Sequence, residues 1–227
     1  MKVKLISHSC ATDELINSGL CSAQDLVAFC ARVSNPSNQL NTETSERLIR
    51  YLIKHQHWSP LEMVSACLEI VTTRDIARQI LRHRSFSFQE FSQRYADPTQ
   101  DLNFVYREAR LQDSTNRQNS VPVNDSVLTN HWQIKQQQVI DAAKSAYQWA
   151  MRNGIAKEQA RAVLPEGLME SRLYVNGTLR SWIHYCELRS GHGTQKEHME
   201  IAKACARVIA DIFPMIIGSE SDLTQQP

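Results

Sequence analysis

Glycine is scarce in this chain, and the scarcity narrows the chemistry. The 227 residues hold seven glycines, and neither GxxxxGKS nor GxGxxG occurs. A nucleotide bound here must be held by side chains and helix ends, because no glycine cradle exists for its phosphates. No apolar run approaches the roughly 20 residues of a membrane helix. The first stretch, MKVKLISHSCATDEL, has no apolar core of a secretory signal. The six cysteines (Cys10, Cys21, Cys30, Cys67, Cys186, Cys205) form no CxxC pair. They read as reduced thiols, several of them in the core, and the expected location is cytoplasmic. There is no GxSxG elbow for a serine nucleophile. His55 and His57, with Glu62 downstream, have no HExxH spacing, so no metal is expected. A net charge of +1 and a pI near 7.7 give no general reason to expect nucleic acid or membrane as a partner. No internal repeat is found.

What is present is an ordinary soluble composition, 42% hydrophobic and 22% charged, in a chain long enough to bury a real core. Against that background the stretch Arg74–Tyr95, RDIARQILRHRSFSFQEFSQRY, stands out. It carries five arginines and no lysine, with only Asp75 and Glu90 opposing them. Arginine without lysine suggests planar, bidentate recognition of phosphate or carboxylate. The serines, Gln89 and Glu90 add fixed hydrogen-bonding groups. Together they suit an anionic small molecule with polar edges.

Period changes along the chain place these residues. Lys2–Ile6 alternate as a first strand. Ser22 caps a helix through Val33, with Leu26, Val27, Phe29, Cys30 and Val33 as its apolar side. Thr42 or Thr44 caps a second helix bearing Leu48, Ile49, Leu52 and Ile53. His55–Pro60 is a shaped turn. Residues 63–72 alternate in period two and predict a strand. Thr73 then caps a helix with Ile76, Ala77, Ile80 and Leu81 buried, which leaves Arg82-His83-Arg84 at its C-terminal end. Leu102, Phe104 and Tyr106 suggest another strand, and the polar stretch 111–127 a loop. A long helix over 128–153 is expected to bury Trp132, Val139, Ile140, Ala143, Tyr147 and Ala150, with Gly154 as its left-handed stop. A short helix over 157–164 carries Arg161. A strand over 168–176 and a helix from Thr178 follow. Gly191–Gly193 is a break, Thr194–Glu197 a capping box for the last helix, and 219–227 a frayed tail.

Several chemistries compete for the arginine stretch. The plain reading of Arg82–Arg84 is a helix C-terminus decorated with cations, each worth roughly 0.3–1 kcal/mol. A non-catalytic RNA-binding module would use the same arginines on phosphates. A metal-dependent nucleotide hydrolase would want paired acidic motifs, which are missing.

The stretch as a whole supplies a further indication. RHRSFSFQEFSQRY, Arg82–Tyr95, resembles the signature of flavin-dependent thymidylate synthases, RHRxxSxxExSxRY. Arg82, His83, Arg84, Ser87, Glu90, Ser92, Arg94 and Tyr95 match, and Gln89 stands where Asn is usual. His57–Glu62, Ala77–Gln79, Ala160–Pro165, Thr178–Arg189, Gln195 and Glu197 are similar to further family segments. Thr178 stands where Asn is common, and Gly191–Gly193 differs from many members.

The resemblance implies an α+β fold with a mixed or antiparallel sheet and long helices, in one domain over 1–218. It implies methylation of dUMP to dTMP, with 5,10-methylenetetrahydrofolate as carbon donor and FAD, reduced by NADPH, as hydride donor. It also implies a homotetramer with sites between subunits. Carried over by position, Ser59, Arg82, His83, Arg84, Glu90, Thr178, Leu179, Arg180 and His184 surround the flavin. Gln79, Arg82, Glu90, Phe91, Ser92, Gln93, Arg94, Arg161 and Arg189 hold the nucleotide. Arg189 stabilises the N3-deprotonated uracil, and Ser92 matches the family's active-site serine, read here as a binding group. Arg74 and Arg78 are left as plain helix charges.

Overall fold

Alternating burial along two strands sets the architecture. The computed structural model describes residues 1–191 and 193–214. Strand β1 (Lys2–His8) is followed by helices α1 (Asp13–Asn17), α2 (Ala23–Ala31) and α3 (Ser45–Lys54). Next come β2 (Ser65–Thr73), α4 (Arg74–Ile80), β3 (Phe86–Glu90) and α5 (Pro98–Asp101). Two short strands, β4 (Arg110–Gln112) and β5 (Ser120–Pro122), precede the long α6 (Ser126–Arg152) and α7 (Lys157–Ala160). The described chain closes with β6 (Glu170–Thr178), α8 (Leu179–Ser190) and α9 (Lys196–Ile212). The main sheet has the order β1-β2-β6-β3 and every neighbouring pair is antiparallel. This is the expected α+β class.

In β2, Ala66, Leu68 and Ile70 are buried, and in β6 Leu173 and Val175 meet them across the register. The opposite face presents Glu69, Arg172, Tyr174 and Asn176 to solvent or the half-buried margin, as an antiparallel sheet covered on one side does. Trp182 and Ile183 of α8 and Ile201, Cys205 and Ile209 of α9 belong to the same core. Trp182 Nε1 donates to the Ala66 carbonyl at 3.0 Å, which satisfies the indole inside the apolar layer.

Register explains how α4 positions the arginine stretch. Thr73 lies opposite Glu170 and Ser65 opposite Thr178, while β3 starts with Phe86 opposite Gly177. Strands β2 and β3 are therefore parallel to each other on either side of β6. Helix α4 is the crossover that returns the chain to the Thr178 end of the sheet and delivers Arg82–Arg84 beside the start of α8.

Local chemistry matches expectation at several ends. Ser22 and Asp25 form a reciprocal capping box, and Gly154 has φ +74°. Elsewhere the tertiary structure differs. Val33 is exposed, just past the end of α2. Of the cysteines only Cys205 is buried, while Cys10 and Cys21 are exposed. Phe104 makes a single bridge to Met169 and no strand forms at 102–106. The stretch 111–127, expected as a loop, contributes most of the β4–β5 hairpin and the first two residues of α6. Trp132 and Val139 are exposed, because the inner stripe of α6 runs through Gln136, Ile140, Ala143, Tyr147 and Ala150. No capping box forms at Thr194: Gln195 is the N-cap without a side-chain cap bond, and the Glu197 carboxylate faces Arg107 and Arg110 instead. Thr73 likewise gives its hydroxyl to Asp75 at 2.6 Å and caps no backbone N–H. His192 and the expected tail at 219–227 lie outside the described residues.

Gly177 shows how close the packing is. A Cβ there would overlap the Phe86 ring, which sits edge-on to Trp182 with centroids 4.6 Å apart. Gly177→Ala should destabilise the fold by about 1–3 kcal/mol through overpacking, measured as a lowered midpoint in urea unfolding.

Candidate active site

The arginine stretch leaves α4 in a tight turn, His83 N–H donating to the Ile80 carbonyl at 3.0 Å. Helix α8 clamps the far side of that turn. Thr178 caps α8 by accepting from Ser181 N–H, and the Ser181 hydroxyl donates to the Ser85 carbonyl at 3.1 Å. Three segments far apart in sequence then converge. Arg189 Nε donates to His83 Nε2 at 3.0 Å. Gln79 Nε2 donates to Gln195 Oε1 at 2.9 Å, and Gln79 Oε1 lies 3.1 Å from His198 Nδ1. The rings of His83 and Tyr185 meet edge to face at 5.0 Å.

Burial and charge tune this cluster. Burial, followed by the nearby Arg189 and Arg82 cations, lowers the His83 pKa below its usual value. His198 is fully buried; burial and then the charges of Arg189 and His83 bring its pKa from 6.5 to about 4. Burial raises the Tyr185 pKa well above its ordinary value. Both imidazoles are thus kept neutral next to a permanent cation. His198 Nε2 and the Tyr185 hydroxyl have no partner among the described residues.

A second cluster surrounds Glu90. Arg74 and Arg78 each approach it at 3.4 Å, Ser171 donates to it at 2.8 Å, and Glu166 lies 3.8 and 3.6 Å from the same two arginines. Arg74 is buried, so it is an internal cation that holds Glu90, not the plain helix charge expected from sequence. Phe91 and Ser92 are half-buried, and Gln93 is buried with its Nε2 unpartnered. Ser92 Oγ accepts from the Arg94 backbone N–H at 3.3 Å. Arg94 reaches Glu158 at 3.4 Å on the surface, and Arg161 is half-buried, close enough to Arg74 to depress its pKa alongside burial.

The remaining positions lie around the start of α8. Arg180 pairs with Glu62, His184 stands edge-on to Trp58 at 4.5 Å, and Ser59 is exposed beside that tryptophan. The Leu179 side chain is in the core, which leaves its backbone for a ligand. Arg82 and Arg84 are exposed and make no ion pair among the described residues. No hydrogen bond or ion pair among the described residues joins Arg94 or Arg161 to the Gln79–Arg189 cluster.

Sequence patterns left several groups unread. His198 and Tyr185 lie on helices whose apolar periodicity hides them. Arg107 clamps Asp75 at 2.6 Å and reaches Glu197 at 3.4 Å, and Arg110 meets Glu197 at 2.5 Å. Burial opposes the Glu197 charge, but its own backbone N–H, Arg107, Arg110 and Gln195 outweigh that and hold its pKa low. These groups floor a cleft of about 420 Å³ beside Trp132 and Lys135 of α6.

Fold and site together define a class: an α+β protein that gathers arginine, histidine and amide side chains from distant segments without a glycine loop. Residues 15–215 match the family model described as thymidylate synthase complementing protein. The chain is 44% identical over 219 residues to the probable flavin-dependent thymidylate synthase of Paramecium bursaria Chlorella virus 1, covering 95% of this chain and 97% of that one. It is also 44% identical over 219 residues to the flavin-dependent thymidylate synthase of a Synechocystis strain, covering 96% and 99%. Among solved structures, the UMP/dUMP methylase PolB from Streptomyces cacaoi, bound with 5-Br dUMP, has the same fold, with TM-score 0.77 at 24% identity over 95% of this chain and 92% of that one. The chain belongs to the flavin-dependent thymidylate synthase family.

The buried imidazole has a consequence for acid stability. Between its unfolded value near 6.5 and its folded value of about 4, the unfolded chain binds a proton at His198 that the folded chain does not. Stability therefore falls as pH drops through that window, and the lowered His83 pKa acts in the same direction. Urea unfolding at pH 7 and pH 5 should show the loss, and His198→Asn should reduce it.

Proposed function

We infer that this chain methylates dUMP to dTMP, taking the carbon from 5,10-methylenetetrahydrofolate and the hydride from FAD reduced by NADPH. The supporting observation is the Arg189–His83 hydrogen bond. It joins the nucleotide-facing group carried by α8 to the flavin-facing turn after α4, so substrate and cofactor sites share a wall.

The residues suit both ligands. Arg82 and Arg84 offer guanidinium groups without an ion pair among the described residues to a pyrophosphate, the N-terminus of α8 opens beside Arg180, and Trp58 with His184 gives aromatic edges for a planar ring. Ser59, Glu90 and Thr178 complete the flavin side. When bound, FAD supplies the two-electron chemistry that finishes the methyl group. For the nucleotide, Arg94 and Arg161 take the phosphate dianion in forked hydrogen bonds, with Ser92 and the backbone of Phe91 and Gln93 nearby. Arg189 stabilises negative charge on the N3-deprotonated uracil, which raises electron density at C5, the carbon to be methylated. A fixed cation in a site that excludes water is worth several kcal/mol there.

Subunit association fits the same picture. Arg94 and Arg161 lie in a different cluster from Gln79 and Arg189, and α6 leaves Val127, Trp132, Ile134, Val139 and Trp149 exposed. A homotetramer that joins clusters from neighbouring copies would complete the site and cover apolar surface. Each subunit is one cytoplasmic domain over 1–218. The RNA-binding alternative is weaker, because Glu90 and Glu166 already neutralise Arg74 and Arg78.

A flavin spectrum titrated with dUMP tests cofactor, substrate and their proximity together. The purified protein should be yellow and its spectrum should shift on adding dUMP; protein that takes up neither FAD nor dUMP overturns the reading. Arg189→Lys keeps the charge but loses the planar fork and should cut turnover about a hundredfold with little change in thermal midpoint. Arg94→Ala should instead raise the dUMP dissociation constant about tenfold to a hundredfold, read by the same titration.

A further inference from the structure

Three hydrogen bonds in the Gln79 cluster can run in only one direction. Glu197 is a carboxylate held ionised by two arginines, so it accepts and cannot donate. Gln195 must turn its Nε2 toward it, and does so at 3.0 Å. That leaves Gln195 Oε1 facing Gln79, whose Nε2 donates to it at 2.9 Å. Gln79 Oε1 then faces His198 Nδ1 at 3.1 Å, so the imidazole carries its proton on Nδ1 and donates. Reversing any one amide would set oxygen against oxygen or N–H against N–H. His198 is wholly buried, so solvent offers no substitute donor at that end.

The consequence lies in the half of the Gln79 amide that is left over. Its second Nε2–H has no partner among the described residues, while its oxygen is committed to His198. We propose that the Glu197–Gln195–Gln79–His198 chain locks the Gln79 amide with an N–H presented to the pyrimidine, making Gln195 and His198 positioning residues for selection of uracil over cytosine. Uracil carries an acceptor oxygen at C4, where cytosine carries an amino donor. A freely rotating glutamine could serve either base by turning over. A locked one matches the carbonyl and opposes the amino group, because turning over would break the chain at both ends. This inference rests on the dUMP reading above and on Gln79 touching the base.

Competitive binding of dUMP and dCMP to the flavin-loaded protein tests it. The wild type should prefer dUMP. His198→Leu removes the donor at similar bulk and should lower that preference about tenfold. Gln195→Met removes the amide at constant length and should do the same. His198→Asn restores an N–H close to the Nδ1 position and should keep the preference within about threefold. Turnover at saturating dUMP should change less than the preference in all three. Equal losses in His198→Asn and His198→Leu would reduce His198 to a packing residue and overturn the proposal. So would an unchanged preference in His198→Leu and Gln195→Met. If His198→Leu fails to fold, Gln195→Met, at a half-buried position, decides alone. A wild type that binds dUMP without preferring it to dCMP defeats the selectivity proposal only, whereas one that binds neither removes the dTMP-synthase reading as well.

Discussion

Strand β6 is the constraint on which the rest of the molecule depends. It pairs with β2 along one edge and β3 along the other, so residues 65–73, 86–90 and 170–178 must lie side by side. That pairing makes α4 a crossover and returns Arg82–Arg84 to the end of the sheet where α8 begins. The close approach of Phe86 to Gly177 and the bond from Trp182 to Ala66 seal the junction from within. Without β6 in the middle, His83 and Arg189, 106 residues apart, would have no reason to meet.

Charge is arranged on that frame in two ways. Some arginines are consumed internally: Arg74 by Glu90 and Glu166, Arg107 by Asp75 and Glu197. Removing one partner of such a pair is costly because a partly buried charge is left alone, so these residues hold segments together. Others, Arg82 and Arg84, stay exposed and make no ion pair among the described residues. A chain with few glycines and a cluster of arginines is chemically suited to hold phosphate with guanidinium forks, where a phosphate loop would use backbone N–H groups.

Much of the fold was legible. Period-two alternation marked β2 because its buried face is continuous, and Ser22 and Gly154 marked boundaries because their chemistry is local. The failures have a common cause. Trp132 and Val139 looked buried because α6 is apolar around more of its circumference than one neighbour covers. Thr194–Glu197 looked like a capping box because sequence cannot show Arg107 and Arg110 competing for the carboxylate. The β4–β5 hairpin was missed because each of its strands is three residues long and rich in polar side chains.

The candidate site divides along the same line. By itself the sequence determined the family signature, the arginines within it and the elements that carry them, because these depend on residue type at short spacing. Which groups act together was decided only by the tertiary structure. It turned Arg74 from a surface charge into a buried one, sank the Leu179 side chain into the core, and brought His198 and Gln195 against Gln79. Those outcomes depend on burial and on hydrogen-bond direction, and both are properties of neighbours that are distant along the chain.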